Sequence, residues 1–154
     1  MAAVQVGEQA PTLTAPLQDG CTFDSATLLG RKWLVLFFYP KDNTPVCTKE
    51  ACAFRDSYEK FAAAGAEVVG VSSDSVDSHA QFAAKHRLPF PIVADTDRRV
   101  RKLFGVPNPL GFIPGRVTYV IDREGVVRLA YSALFASDDH VRKALAAVGA
   151  TGGQ

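Results

Sequence analysis

The run Trp33-Leu34-Val35-Leu36-Phe37-Phe38-Tyr39 limits the possible folds more than any other segment. It holds seven apolar residues with no polar alternation. A strand written this way is buried on both faces, so the chain needs cover above and below a sheet. Pro40 ends the run, and a polar loop follows over residues 41–46. A helix is expected from about Val46 to Ala64, with Ala51, Phe54, Tyr58, Phe61 and Ala62 on one stripe and Gly65 as its stop. Then come an expected strand over residues 67–72, a helix over 75–86, a short strand over 92–94 and a short helix over 95–104. Residues 105–115 hold three Gly and three Pro and read as a loop. Segments 116–121 and 126–131 read as strands joined by the turn Asp122-Arg123-Glu124-Gly125, and Ser137 is expected to cap a last helix ending near Val148. This order predicts an α/β chain with a central mixed β-sheet flanked by helices, the thioredoxin-like architecture.

At 154 residues the chain suits one domain, residues 1–154, with a core of its own. Its 17 basic and 16 acidic residues leave no basic surplus, which argues against a nucleic-acid partner. No stretch approaches the ~20 apolar residues that cross a bilayer. The first residues lack a basic segment followed by an apolar one, so no signal peptide is expected. Three cysteines, Cys21, Cys47 and Cys52, are too few and odd in number for a secreted disulfide scaffold. A reducing, cytoplasm-like compartment is expected, or a plastid if a transit peptide has been removed.

Cys47 falls in the first turn of the long expected helix. Unpaired N–H groups and the positive end of the helix dipole gather there, and both favour thiolate, the nucleophilic form, over thiol. Cys52 lies five residues later. In a regular helix the two Cα atoms then sit roughly 8–9 Å apart with side chains ~140° apart. A disulfide needs Cα atoms within about 7 Å, so pairing requires local unwinding. On pattern alone both cysteines also read as small buried residues. Likewise Thr44 reads as a helix cap, Pro40 as a strand terminator, Arg116 as a solvated strand-start arginine and Glu50 as a first-turn acid that suits the dipole. His79, His86 and His140 are scattered, with no metal-ligand spacing, and read as surface or helix-end residues.

The segment Pro40-Lys41-Asp42-Asn43-Thr44-Pro45-Val46-Cys47 is more specific. Pro-x-x-x-Thr-x-x-Cys resembles the active-site signature of the peroxiredoxins. Phe37-Phe38-Tyr39-Pro40-Lys41-Asp42 and the Cys-x-x-x-x-Cys spacing of Cys47-Thr48-Lys49-Glu50-Ala51-Cys52 resemble the PrxQ, or bacterioferritin-comigratory-protein, subfamily. The likeness extends to Gly70-Val71-Ser72 and to residues 114–122, and covers roughly residues 5 to 148. It implies a thiol-specific peroxidase acting on hydrogen peroxide and organic hydroperoxides without a cofactor. By the same resemblance Cys47 matches the peroxidatic cysteine and Cys52 the resolving cysteine of an intrachain disulfide. Thr44 matches the hydroxyl that binds the peroxide, Pro40 the shield against bulk water, Arg116 the guanidinium that steadies the thiolate, and Glu50 the acid that orients this arginine. Thioredoxin, or a glutaredoxin, is the implied reductant, and a monomer is the implied unit.

Two positions depart from the subfamily pattern. Val46 stands where the family usually has Gly, and Cys21 matches no motif. Leu110 and Phe112 are candidates for the rim of the site. Three other readings compete: a thioredoxin-like disulfide oxidoreductase, which would use a Cys-x-x-Cys that is absent here, a non-enzymatic binding or holdase protein with structural cysteines, and a structural metal site, for which the spacing supplies no third and fourth ligand.

Overall fold

The apolar run becomes β3 (Trp33–Phe38), and all six of its residues are buried. A computed structural model describes residues 4–106, 116–133 and 137–151. In it β3 is the middle strand of a five-stranded sheet. The elements before it are β1 (Thr14–Pro16), β2 (Thr22–Asp24) and a short 3₁₀ turn. After it come α1 (Pro45–Asp56), α2 (Tyr58–Ala63), β4 (Ala66–Ser72), α3 (Val76–His86), β5 (Ile92–Ala94), α4 (Arg99–Phe104), β6 (Val117–Ile121), β7 (Val127–Ser132) and α5 (Ser137–Thr151). Strand order is β5-β4-β3-β6-β7, with β3, β4 and β5 parallel and β6 and β7 antiparallel. This is the mixed sheet expected from the sequence.

Alternation along β3 divides the core in two. Trp33, Val35 and Phe37 face the cluster that holds Cys47, Ala51 and Phe54 of α1, Phe82 of α3, and Val141, Ala144 and Val148 of α5. Leu34, Leu36 and Phe38 face the other cluster, with Val100 and Phe104 of α4 and Phe23 of the β1–β2 hairpin. Phe37 anchors α1: its ring stacks on Phe54 with centroids 4.4 Å apart. Gly70 on β4 makes that possible, because a Cβ there would sit 2.9 Å from the Phe37 ring.

Three expectations need correction. The helix expected over residues 46–64 is two helices, broken at Ser57, whose φ −103° and ψ 5° lie in the sparsely allowed bridge region. The break brings the Phe61 and Phe54 ring centroids to 5.8 Å, whereas seven residues of straight helix would separate their Cα atoms by ~10.5 Å. The helix expected over 95–104 starts at Arg99, because the Asp95 carboxylate accepts from the N–H groups of Val100 and Arg101, at 2.9 Å each, and fixes a turn before it. The last helix runs on through Gly149 to Thr151. Residues 107–115, including Leu110 and Phe112, lie outside the described residues.

Candidate active site

Pro40 follows β3 at the mouth of a loop, and Thr44 is the residue from which α1 departs, with extended backbone (φ −84°, ψ 151°). Pro45 takes the first helical position, where its missing N–H costs nothing. The Thr44 side chain does not cap the helix; its hydroxyl donates to the Lys41 carbonyl at 2.8 Å. That commits its hydrogen and leaves its lone pairs to accept from an O–H.

Cys47 lies in the first turn of α1 and is only 1% exposed. Its sulfur is not enclosed by carbon alone. Arg116, one residue before β6, donates from Nη2 to Cys47 Sγ at 3.1 Å and from Nη1 to Glu50 Oε1 at 2.5 Å. The guanidinium fork therefore spans the two side chains, 69 and 66 residues away in sequence. Arg116 is 2% exposed. In so dry a place a charge acts on its neighbours far more strongly than in water.

These positions overturn two readings made on pattern. Arg116 is not solvated. Glu50 is not a first-turn acid facing solvent; it is the sixth residue of α1 and fully buried. Cys52 is half-buried in the same regular helix as Cys47, and both are free thiols. Cys21 is free and exposed in the β1–β2 hairpin turn, where its N–H bonds Asp19 Oδ1 at 2.9 Å. Val46 is half-buried.

The histidines need the same correction. His79 and His140 are completely buried, not at the surface. His79 Nδ1 faces Asp42 Oδ2 at 2.7 Å, and Nε2 faces the Val93 carbonyl at 3.0 Å. Asp42 also accepts from the hydroxyls of Tyr39 at 2.5 Å and Ser78 at 2.8 Å, and its own N–H bonds Asp74 Oδ2 at 2.8 Å. Asp42, Asp74 and His79 place their ligand-type atoms within 4.8 Å of one another, but the Asp42 oxygens are already taken by these donors. The network holds the Pro40–Thr44 loop to α3. On the other side, His140 of α5 puts Nδ1 2.7 Å from Thr118 Oγ1 and Nε2 2.8 Å from the Ala133 carbonyl. Its Nδ1 lies 3.6 Å from Glu50 Oε2. A sequence signal existed for His140: it shares a helical stripe with buried Ala144 and Val148.

Electrostatics follow from burial. Burial pushes the Glu50 carboxyl up to about 7, against the downward pull of Arg116. For Arg116 burial acts to lower the pKa, but Glu50 and Cys47 beside it outweigh this and raise it above its ordinary value. Burial pushes His140 down to about 4, with the Ala133 carbonyl opposing.

The AhpC/TSA family model matches residues 6–130. The chain belongs to the AhpC/TSA family. It is 50% identical over 145 residues to the chloroplastic peroxiredoxin Q of Populus jackii, covering 94% of this chain and 68% of that one. It is 49% identical to the chloroplastic peroxiredoxin Q of Sedum lineare, covering 94% and 77%. Among solved structures it superposes on the peroxidoxin BcpB of Mycobacterium tuberculosis with TM-score 0.89 and 39% identity, covering 96% and 98%. It also superposes on the bacterioferritin comigratory protein of Xanthomonas campestris, studied for alkyl peroxide reduction, with TM-score 0.81 and 34% identity, covering 99% of each. The peroxiredoxin fold and a thiol-peroxidase activity served by a thioredoxin-type reductant follow from this membership. Within the family the chain sides with the Q-type peroxiredoxins.

Proposed function

We propose that Cys47 is the peroxidatic nucleophile, that Cys52 resolves it, and that Thr44, Pro40, Arg116 and Glu50 serve the first step. The Arg116 fork, one arm on Cys47 Sγ and the other on Glu50, carries this reading. The Cys47 thiolate attacks the terminal oxygen of a hydroperoxide. An S–O bond forms as the O–O bond breaks; sulfur is oxidised by two electrons, and the departing alkoxide or hydroxide takes up a proton. Arg116 is placed to stabilise negative charge on sulfur before the step and on oxygen during it. Thr44 accepts the peroxide O–H, and Pro40 keeps bulk water from the sulfenic acid.

Resolution forms an S–S bond between Cys52 and the Cys47 sulfenic sulfur and releases water. In one regular helix these residues stand roughly 8–9 Å apart at Cα, beyond the about 7 Å a disulfide allows. The first turns of α1 therefore unwind before the bond closes. The dithiol of a thioredoxin then reduces it by exchange, with a glutaredoxin as the competing donor. Residues 1–154 act as one domain and as a monomer, since the pairing needs no second subunit. Among the described residues only Val6 and Leu29 are large apolar side chains left exposed, which supports a monomer. A reducing compartment, cytosol or plastid stroma, suits a thiol-fuelled cycle.

Intact mass after one equivalent of hydrogen peroxide tests the cycle. The expected results are loss of two hydrogens in the parent protein, gain of one oxygen in Cys52→Ser, and no change at the site in Cys47→Ser. A two-hydrogen loss that disappears only with Cys21→Ser would give the resolving role to Cys21.

A further inference from the structure

Beside the Arg116 fork lies a buried oxygen that the mechanism above does not use. Glu50 Oε1 bonds Arg116, while Glu50 Oε2, also buried, has no hydrogen-bond partner among the described residues. Such an atom is costly unless a proton or a donor reaches it. His140 Nδ1 lies 3.6 Å from it, an approach too long for a hydrogen bond but close enough for strong electrostatics in a dry core. The His140 tautomer is set by its other contacts. Nε2 faces the Ala133 carbonyl, an acceptor, so Nε2 carries the hydrogen. In neutral His140, Nδ1 then presents a lone pair, which accepts from the Thr118 hydroxyl at 2.7 Å.

That lone pair is committed to Thr118, so Nδ1 has no hydrogen to offer Oε2, and an electron-rich nitrogen 3.6 Å away disfavours negative charge on it. We propose that His140 is a positioning residue that keeps a proton on Glu50 Oε2, so that the single positive charge of Arg116 is left to the Cys47 thiolate. The charge count explains why this matters. With Glu50 ionised, one guanidinium would face two anions, the carboxylate and the thiolate, in a pocket closed to water. With the proton on Oε2, Arg116 and the thiolate balance. Burial drives both partners the same way, holding Glu50 up at about 7 and His140 down at about 4.

The surrounding groups do not undo the arrangement. Arg116, just before β6, bonds Glu50 directly, and Cys47 of the same helix as Glu50 takes the other arm of its fork. Around His140, the Tyr131 ring of β7 packs edge-on at 4.8 Å. Burial disfavours protonated His140, with Arg116 acting the same way, and outweighs the Ala133 carbonyl and Asp139 of α5, which favour it. Asp139 is itself engaged by Arg142 and by the Tyr131 hydroxyl. Lys49 and Asp138 pair at the surface.

His140→Asn tests this, because it replaces a nitrogen that can only accept with an amide that can donate to Oε2 and favour the carboxylate. The readout is the rate constant for oxidation of Cys47 by hydrogen peroxide, measured by stopped flow across pH. The expected result is a profile displaced to higher pH by about one unit, a tenfold lower rate on the acid limb. The displacement should vanish in a Glu50→Gln background, where the side chain is neutral at every pH. Superimposable profiles for parent and His140→Asn, or a displacement that survives undiminished with Glu50→Gln, would overturn the proposal. A second measurement leaves His140 intact. At neutral pH the infrared spectrum of the reduced protein should hold a carboxylic-acid C=O band that Glu50→Gln removes; absence of that band also overturns it. The inference rests on Cys47 as nucleophile, and the two fail separately. A fully active Cys47→Ser would end that assignment, while an inactive Cys47→Ser with an unmoved His140→Asn profile would end only the role of His140.

Discussion

The protein buries two histidines, each beside a buried carboxylate, yet the two sites are built in opposite ways. At His79–Asp42 every polar atom of the pair is engaged. Asp42 accepts from Tyr39 and Ser78 and meets His79 Nδ1, and the other His79 nitrogen faces the Val93 carbonyl. At His140–Glu50 one carboxylate oxygen is left over, and the ring nitrogen 3.6 Å from it accepts from Thr118 and offers it no hydrogen. The first site is a closed clamp whose polar atoms are all held by partners. The second can change its charge without moving an atom heavier than hydrogen. The clamp ties the Pro40–Thr44 loop to α3; the adjustable site sits behind Arg116, where charge bears on chemistry. Burial alone therefore does not tell a structural pair from a functional one. The completeness of its hydrogen bonding does.

The largest effect expected from this contrast is on stability. Asp42→Ala removes one partner of a buried pair and strands the His79, Tyr39 and Ser78 donors, so it should cost about 3–5 kcal/mol. Glu50→Gln should cost less than half as much, since that site already holds a proton much of the time at neutral pH. Midpoints of urea unfolding compare the two directly. Equal losses would erase the distinction.

Next in size is the pH dependence of stability. Folding raises the Glu50 pKa from 4.5 to about 7, so between those values the folded chain holds a proton that the unfolded chain has released. Stability from Glu50 is thus complete below 4.5 and is lost as pH rises through 7. Folding lowers the His140 pKa from 6.5 to about 4, so its contribution is complete above 6.5 and is lost as pH falls through 4. In the shared window the two slopes oppose and largely cancel. Removing one partner exposes the other: Glu50→Gln should gain stability as pH rises through that window, and His140→Asn should lose it. The Glu50→Gln slope should approach ~1.4 kcal/mol per pH unit, and the His140→Asn slope should be shallower, because the new amide favours the carboxylate. Melting temperatures across the window check it, and two variants with slopes of the same sign would refute the pairing.

Much of this fold could be read from the chain. The β3 run, the Ser75 cap of α3 and the strand Ile92–Ala94 follow from periodicity and capping, because each is fixed by neighbours in sequence. Strands β1 and β2, three residues each, are too short to show a period and exist through pairing with each other. The break at Ser57 was hidden because the apolar stripe continues across it. At the site, Cys47 in the first turn of a helix was legible from pattern, whereas the grouping of Arg116 and Glu50 with it was implied only by family likeness; local pattern put Arg116 in solvent and gave Glu50 no role beyond the helix dipole. His79 and His140 were passed over because their partners stand 37 and 22 residues away. Their spacing to Phe82 and to Ala144, respectively, was the available clue.

The smallest effect concerns the stretch of chain between the two sites. The clamp holds the loop before α1, and Glu50 ties the second turn of α1 to Arg116, so the segment that the proposed Cys47–Cys52 pairing would unwind first lies between them. Val46 occupies it, half-buried, where the family usually has Gly. A β-branched side chain stiffens that turn, and Gly there would weaken the helix by roughly 0.5–1 kcal/mol. If unwinding precedes resolution, Val46→Gly should speed disulfide closure by a few-fold, since ~1.4 kcal/mol corresponds to a factor of ten in rate. The first step should be unaffected, because the contact of Arg116 with Cys47 does not involve Val46. Stopped-flow tryptophan fluorescence of Trp33 can follow both phases after mixing with peroxide. An unchanged second phase would mean that the clamp or the Glu50 tether, and not the turn between them, sets the rate at which α1 opens.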